Sequence, residues 1–161
     1  MKKEVRLYNV IFPFWFMLLA WPALVYWPPG LALVMLANFA IDSLVLAVAA
    51  WRLRLPEKFK LWRRSIWMVW LLGFLCDAAG ALLVAGLCFL VEGGVTARTM
   101  LFPGATLYAL PGVALAGVLL YWLNRLLSFR KTGLEKRQLH KLCLAIALFT
   151  APYLMLIPLG F

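Results

Sequence analysis

Five apolar runs, too long and too continuous for the core of a soluble domain, dominate this chain. They cover residues 10–27, 31–51, 65–91, 105–127 and 140–158. A helix needs about 20 predominantly apolar residues to cross a bilayer. Every run approaches or exceeds that length, and the first, at 18 residues, is near the short limit. The runs are continuous rather than alternating, so they read as helices and not as strands of a membrane barrel. The expected fold class is all-α: a polytopic membrane helical bundle with five transmembrane helices, forming one integral membrane domain over residues 1–161.

Composition narrows the class further. Of the 161 residues 66% are hydrophobic and only 14% charged, whereas soluble domains carry roughly 45–50% apolar and about 25% charged residues. So few charges cannot cover so much apolar surface, which excludes a soluble globular domain. Disorder is excluded as well, because it requires low hydrophobicity. The formal charge of +10 would suggest a nucleic-acid partner on a soluble fold. Here the basic residues sit in short clusters between apolar runs, with no stretch long enough for a nucleic-acid module, so no nucleic-acid partner is expected.

The clusters instead report topology. The head (Lys2, Lys3, Arg6), the segment from Arg52 to Arg64 and the segment from Arg125 to Lys141 hold fifteen Lys and Arg, and the opposite side holds only Arg98. This bias alternates across all five runs and predicts a cytoplasmic N-terminus and an outer C-terminus. The expected location is the plasma membrane, a prokaryotic one by the most natural reading. The eight Trp gather towards the run ends, as an aromatic belt does.

The first run has a charged front and an apolar middle, like a signal peptide. Trp15, Trp21, Pro22, Tyr26 and Trp27 are wrong for a small-residue cleavage site, so it is read as retained. Pro13 and Pro22 predict a kink there. Pro28-Pro29-Gly30 reads as a turn between the first two runs. Arg52, Arg54, Lys58, Lys60, Arg63 and Arg64 form a basic, lipid-facing interface with Phe59, Leu61 and Trp62 interleaved, suited to anionic headgroups. Pro56 is expected in the first helical turn of the next element. Thr132 and Glu135 have capping-box spacing for a helix running on to Ile157.

Two acids fall inside apolar runs, Asp42 and Asp77. Asp42 lies ten residues before Arg52 and Asp77 thirteen after Arg64, which at the helical rise places them about 15 and 20 Å from the basic end. In a hydrocarbon core about 30 Å thick both are near the middle, on consecutive antiparallel helices. Asn38 lies four residues before Asp42, on the same face. The candidate site is Asn38, Asp42 and Asp77, with Ser43 at its margin. An ionised acid at the bilayer centre costs about 3 kcal/mol on insertion scales, and two adjacent acids resist ionising together. Such a pair suits a proton, a small cation or the hydrogen-bonded packing of helices. Small residues at Gly73, Gly80, Gly112 and Ala116 form a packing stripe that lets backbones approach.

Other features are weaker. Cys76 and Cys88 are twelve residues apart on one run, about 18 Å along a helix and too far for a disulfide. His140 and Cys143 are two ligands without a third, so no metal site is expected. No cofactor motif is present. The Gly-x-Gly-Asp pattern of membrane aspartyl proteases is not met by Gly73-Phe74-Leu75-Cys76-Asp77, and neither the motifs of lipoprotein signal peptidases nor a potassium-channel filter segment occurs.

Three functional readings follow. The first is a non-enzymatic accessory, scaffold or assembly component of a membrane complex, self-associating or bound to a partner membrane protein. The second is a proton- or cation-linked transporter or channel using Asp42 and Asp77, and oligomeric, because five short spans enclose little volume. The third is an intramembrane aspartyl hydrolase with the two acids as a shared-proton pair.

Overall fold

A computed structural model of the chain describes residues 28–94, 104–130 and 132–156. The expected first span over 10–27, Arg98 and the end of the fifth run lie outside these residues. The described part is all-helical, with four α-helices in the order α1 (Pro28–Arg52), α2 (Lys58–Glu92), α3 (Gly104–Leu123) and α4 (Lys136–Thr150). A π-helical turn, Asn124–Ser128, extends α3, and a 3-10 turn, Tyr153–Leu156, follows α4. Three helices are long and apolar enough to cross a membrane: α1, α2, and α3 with its π turn.

Local chemistry explains the boundaries. The two prolines expected in a turn instead open α1 at Pro28; proline suits a first turn because its missing N–H has no intrahelical partner there. Likewise α2 begins at Lys58, not at Pro56. Between them the chain folds back on α1, with Leu53 N–H on Ala49 O at 2.9 Å and Leu55 N–H on Ala50 O at 3.0 Å. Leu55 is buried and pins this loop. Arg54 (φ 50°) and Glu57 (φ 45°) are left-handed, a conformation that disfavours non-glycine residues. At its far end α2 stops at Gly93 (φ +71°), whose N–H returns to Phe89 O at 3.1 Å; glycine takes this conformation without steric cost.

The last helix differs most from its expected extent. The Thr132–Glu135 capping box does not form: Thr132 Oγ1 donates to Phe129 O at 2.7 Å, and Glu135 precedes the helix with no side-chain cap. The helix ends at Thr150 rather than running on to Ile157, because Pro152 holds Ala151 extended (φ −61°, ψ 149°).

The core forms three layers along the bundle. The layer at the basic end joins α1, α2, α4 and the π turn's successor through Leu46, Ala49, Ile66, Val69, Phe129, Leu142 and Ile146. The middle layer is Cys76, Ala116, Leu120 and Ala147. The far layer is Ala81, Ala109 and Val113 of α2 and α3. The α2–α3 contact is the most extensive in the bundle. It is close because Gly80 and Gly112 meet backbone to backbone: a Cβ on Gly80 would stand 2.6 Å from Gly112 O and 3.2 Å from Ala116 Cβ. Tyr108 Oη donates to Glu92 Oε1 at 2.9 Å and Thr106 Oγ1 to Leu156 O at 3.0 Å, tying the start of α3 to its neighbours.

Candidate intramembrane polar site

The site is built where α1 crosses α2. Asn38 and Asp42, one turn apart on α1, are both buried, Asp42 to 4% exposure. Gly73 of α2 supplies the room: a Cβ there would stand 3.5 Å from Asp42 Oδ2. Asp77 lies one turn beyond Gly73 on the same helix. It is half-buried, with its Oδ1 fully enclosed, and it is near enough to Asp42 for a charge on one to act on the other. Thus Asp42 and Asp77 are neighbours across the α1–α2 contact, beside Gly73. Gly73 serves α1 and the acid, whereas Gly80, Gly112 and Ala116 meet one another at the α2–α3 crossing.

An aromatic ladder joins α1 to α2 beside these residues. Phe39 packs on Trp67 (5.2 Å) and Trp70 (6.0 Å), Trp67 packs on Trp70 (6.0 Å), and Trp70 packs on Phe74 (5.3 Å). Trp70, Gly73 and Asp77 recur at i, i+3 and i+7, which puts them on one stripe of α2. Sequence reasoning assigned Trp70 only to a membrane belt; its spacing from Gly73 and Asp77 was the available signal.

Hydrogen bonding separates this cluster from the rest of the molecule. Asp42 Oδ2, Ser43 Oγ, Trp70 Nε1 and Asp77 Oδ1 are buried and have no hydrogen-bond partner. Buried polar groups are nearly always paired, and an unpaired one costs about 1–3 kcal/mol. These four groups belong to a polar segment on neighbouring turns of α1 and α2. Its members are three oxygen-bearing side chains and one N–H donor. Among the described residues no third His, Cys, Asp or Glu converges on the two acids, so the oxygens suit a proton or a small, hard cation.

Two other polar clusters are complete. Near the basic end Asn124 Nδ2 donates to Leu120 O (2.9 Å), Ser128 Oγ to Asn124 Oδ1 (2.7 Å) and Ser65 Oγ of α2 to Ser128 O (3.3 Å). The π turn closes over this network, with Phe129 N–H on Asn124 O at 3.1 Å. On the edge of α3 and α4, Arg125 donates to Tyr121 Oη (2.9 Å), which lies 2.8 Å from His140 Nδ1. Arg125 also stands over the Trp122 ring at 5.9 Å, so it is engaged with α3 and, through Tyr121, linked to α4. His140 thus pairs with Tyr121, while Cys143, like Cys76 and Cys88, is a buried cysteine outside any disulfide.

Arg52, Arg54, Lys58, Lys60, Arg63 and Arg64 are all exposed at the basic end. Four of them belong to the first turns of α2 rather than to a loop, so the basic interface continues directly into a spanning helix. Lys60 pairs with Glu57 at 2.9 Å.

The chain matches no known protein family, no curated protein and no solved structure.

Proposed function

We propose that this is a multi-pass membrane protein that binds a proton or small cation at Asp42 and Asp77 and uses that site in proton- or cation-linked transport, as an oligomer. One observation carries the reading: Asp42 and Asp77, neighbours at the α1–α2 crossing, each hold a buried carboxyl oxygen with no hydrogen-bond partner in the bundle. Acids retained only to hold helices together would spend their lone pairs on neighbouring donors, as Asn124 and Ser128 do. An acid with an open, buried oxygen suits a group that arrives and leaves.

The finer placement belongs to the same proposal. The protein crosses the plasma membrane five times, with its N-terminus and both large basic segments in the cytoplasm against anionic headgroups, and its C-terminus outside. The charge bias of fifteen to one supports this topology.

The test is reconstitution of the full chain in proteoliposomes, with proton and alkali-cation gradients imposed in turn. Flux is expected in wild type and is lost in Asp42→Asn and Asp77→Asn, which keep the side-chain shape and remove the ionisable proton. Equal flux in wild type and both variants, or none under any gradient, would sink the reading.

A second reading, an accessory or scaffold component, is favoured by a different feature. An open apolar groove of about 470 Å³ runs between α3 and α4, lined by residues such as Val113, Gly117, Trp122, Ala147 and Leu148. A partner helix seated there predicts stable co-purification with a larger membrane protein from native membranes. Isolation as a lone species would count against it.

A further inference from the structure

The groove between α3 and α4 is apolar along its length and ends beside a cation. On α3 its lining runs from Leu110 to Trp122, a helical rise of about 18 Å. One leaflet of a bilayer is about 15 Å deep, half of the hydrocarbon core. The opposite wall is Ala147 of α4 and, at the deep end, Leu156 of the 3-10 turn. Small residues keep the middle open: a Cβ on Gly117 would meet only Ala147 O, at 3.9 Å.

Tyr121 and Trp122 line the end of the groove that lies towards the basic end of the bundle. Such residues gather where a membrane meets water, which sets this end at headgroup level. Arg125 stands one turn further on and is half-buried. It touches both lining residues, donating to Tyr121 Oη at 2.9 Å and lying 5.9 Å from the Trp122 ring. Tyr121 takes one of five guanidinium N–H donors, and the planar fork matches a phosphate. The first two turns of α4 add Lys136, Arg137, His140 and Lys141, all exposed, and His140 Nδ1 lies 2.8 Å from Tyr121 Oη. Glu135 is the only acid among residues 132–150. An apolar channel of leaflet depth with positive charge at its mouth has the shape and polarity of an anionic amphiphile. A phospholipid carries its phosphate at this depth whatever its chains; a protein helix does so only with a particular acid at one position.

We propose that the α3–α4 groove binds one anionic phospholipid of the leaflet at the basic end, with an acyl chain along Gly117 and Ala147 and the headgroup phosphate on Arg125. This puts a lipid where the second reading above puts a partner helix, and it is independent of ion binding at Asp42 and Asp77.

The test is native mass spectrometry of the full chain, delipidated in mild detergent and titrated with phosphatidylglycerol or with phosphatidylcholine of the same chains. Two further arms, glycerol phosphate and diacylglycerol, supply the head and the chains separately. Wild type is expected to take up one phosphatidylglycerol at a concentration roughly tenfold below that needed for phosphatidylcholine, the scale of one hydrogen bond to a charged group. Neither fragment should bind in that range. Arg125→Gln removes the preference and still binds phosphatidylcholine. Gly117→Leu, which fills the groove, removes the bound lipid of either kind. Equal uptake of the two lipids by wild type, or an unchanged preference in Arg125→Gln, overturns the proposal. So does unchanged uptake in Gly117→Leu, or binding of glycerol phosphate alone as tightly as the whole lipid, which would leave only an anion site. Cross-linking of Gly117→Cys to the 10–27 run, to a second copy or to a co-purified protein overturns it by showing a protein in the groove. If Arg125→Gln does not fold, the wild-type comparison and Gly117→Leu decide.

Discussion

Two buried polar clusters share α2, twelve residues apart at Ser65 and Asp77, and they are finished to different degrees. In the Ser65–Ser128–Asn124 network every side chain has a partner, at 2.7 to 3.3 Å. In the Asp42–Asp77 cluster four side-chain atoms are enclosed and unpaired. The same helix supplies both, in the same apolar surroundings, so the contrast does not come from position alone. The first cluster offsets the cost of burying polar groups from within. The second does not offset it with partners from the bundle itself. Polarity at membrane depth is therefore a poor guide to function by itself; whether it is satisfied is the better one.

The contrast can be broken or sharpened by substitution, read as thermal stability in mild detergent unless stated. The α2–α3 crossing, which holds α2 in place for both clusters, sets the upper scale. Gly112→Val drives a side chain into Val84 and the Gly80 backbone, and a loss of about 3 kcal/mol is expected. An unchanged melting temperature would show that the close crossing is not needed. Asn124→Leu should cost about 2 kcal/mol, because it strips the partner from buried Ser128 and removes the Asn124 side-chain bond to Leu120 O. If it is neutral, the satisfied network is not a structural lock and the comparison fails.

Asp42→Asn sharpens the contrast from the other side. Removing an unsatisfied acid should leave stability unchanged or raise it by up to about 1 kcal/mol, while ion flux is lost. Collapse of this variant beside a firm wild type would move the acids into the packing and turn attention to partners. Ser65→Ala breaks a single long bond of 3.3 Å, for which about 0.6 kcal/mol is expected. Smallest is Lys60→Ala: its pair with Glu57 is exposed on both sides, and a change below about 0.5 kcal/mol is expected, fading further with salt.

How much of this was legible beforehand varies element by element. The helices α1, α2 and α3 follow from apolar runs and their breakers, since continuous hydrophobicity and proline or glycine punctuation are local properties. The depth of Asp42 and Asp77 follows from counting residues to the basic ends, because helical rise is constant. Gly80 and Gly112 were recognisable as small residues on two stripes, but not as the pair that meets. The end of α4 at Thr150 was missed although Pro152 announces it, because the apolar run beyond was weighed more heavily than the proline.

The sequence by itself determined that this chain is helical, that it carries helices long and apolar enough to cross a membrane, and that two of them hold an acid near their midpoint. Hydrophobic periodicity and residue spacing act along one helix at a time, and they suffice for such statements. Only the tertiary structure decided that Asp42 comes to rest over Gly73, that Trp70 packs on Phe39 of α1, and that one polar cluster closes on itself while the other keeps buried atoms without a partner in the bundle. Those outcomes depend on which helix faces meet and how closely backbones approach, and contact between side chains far apart in the chain has no signature in local spacing.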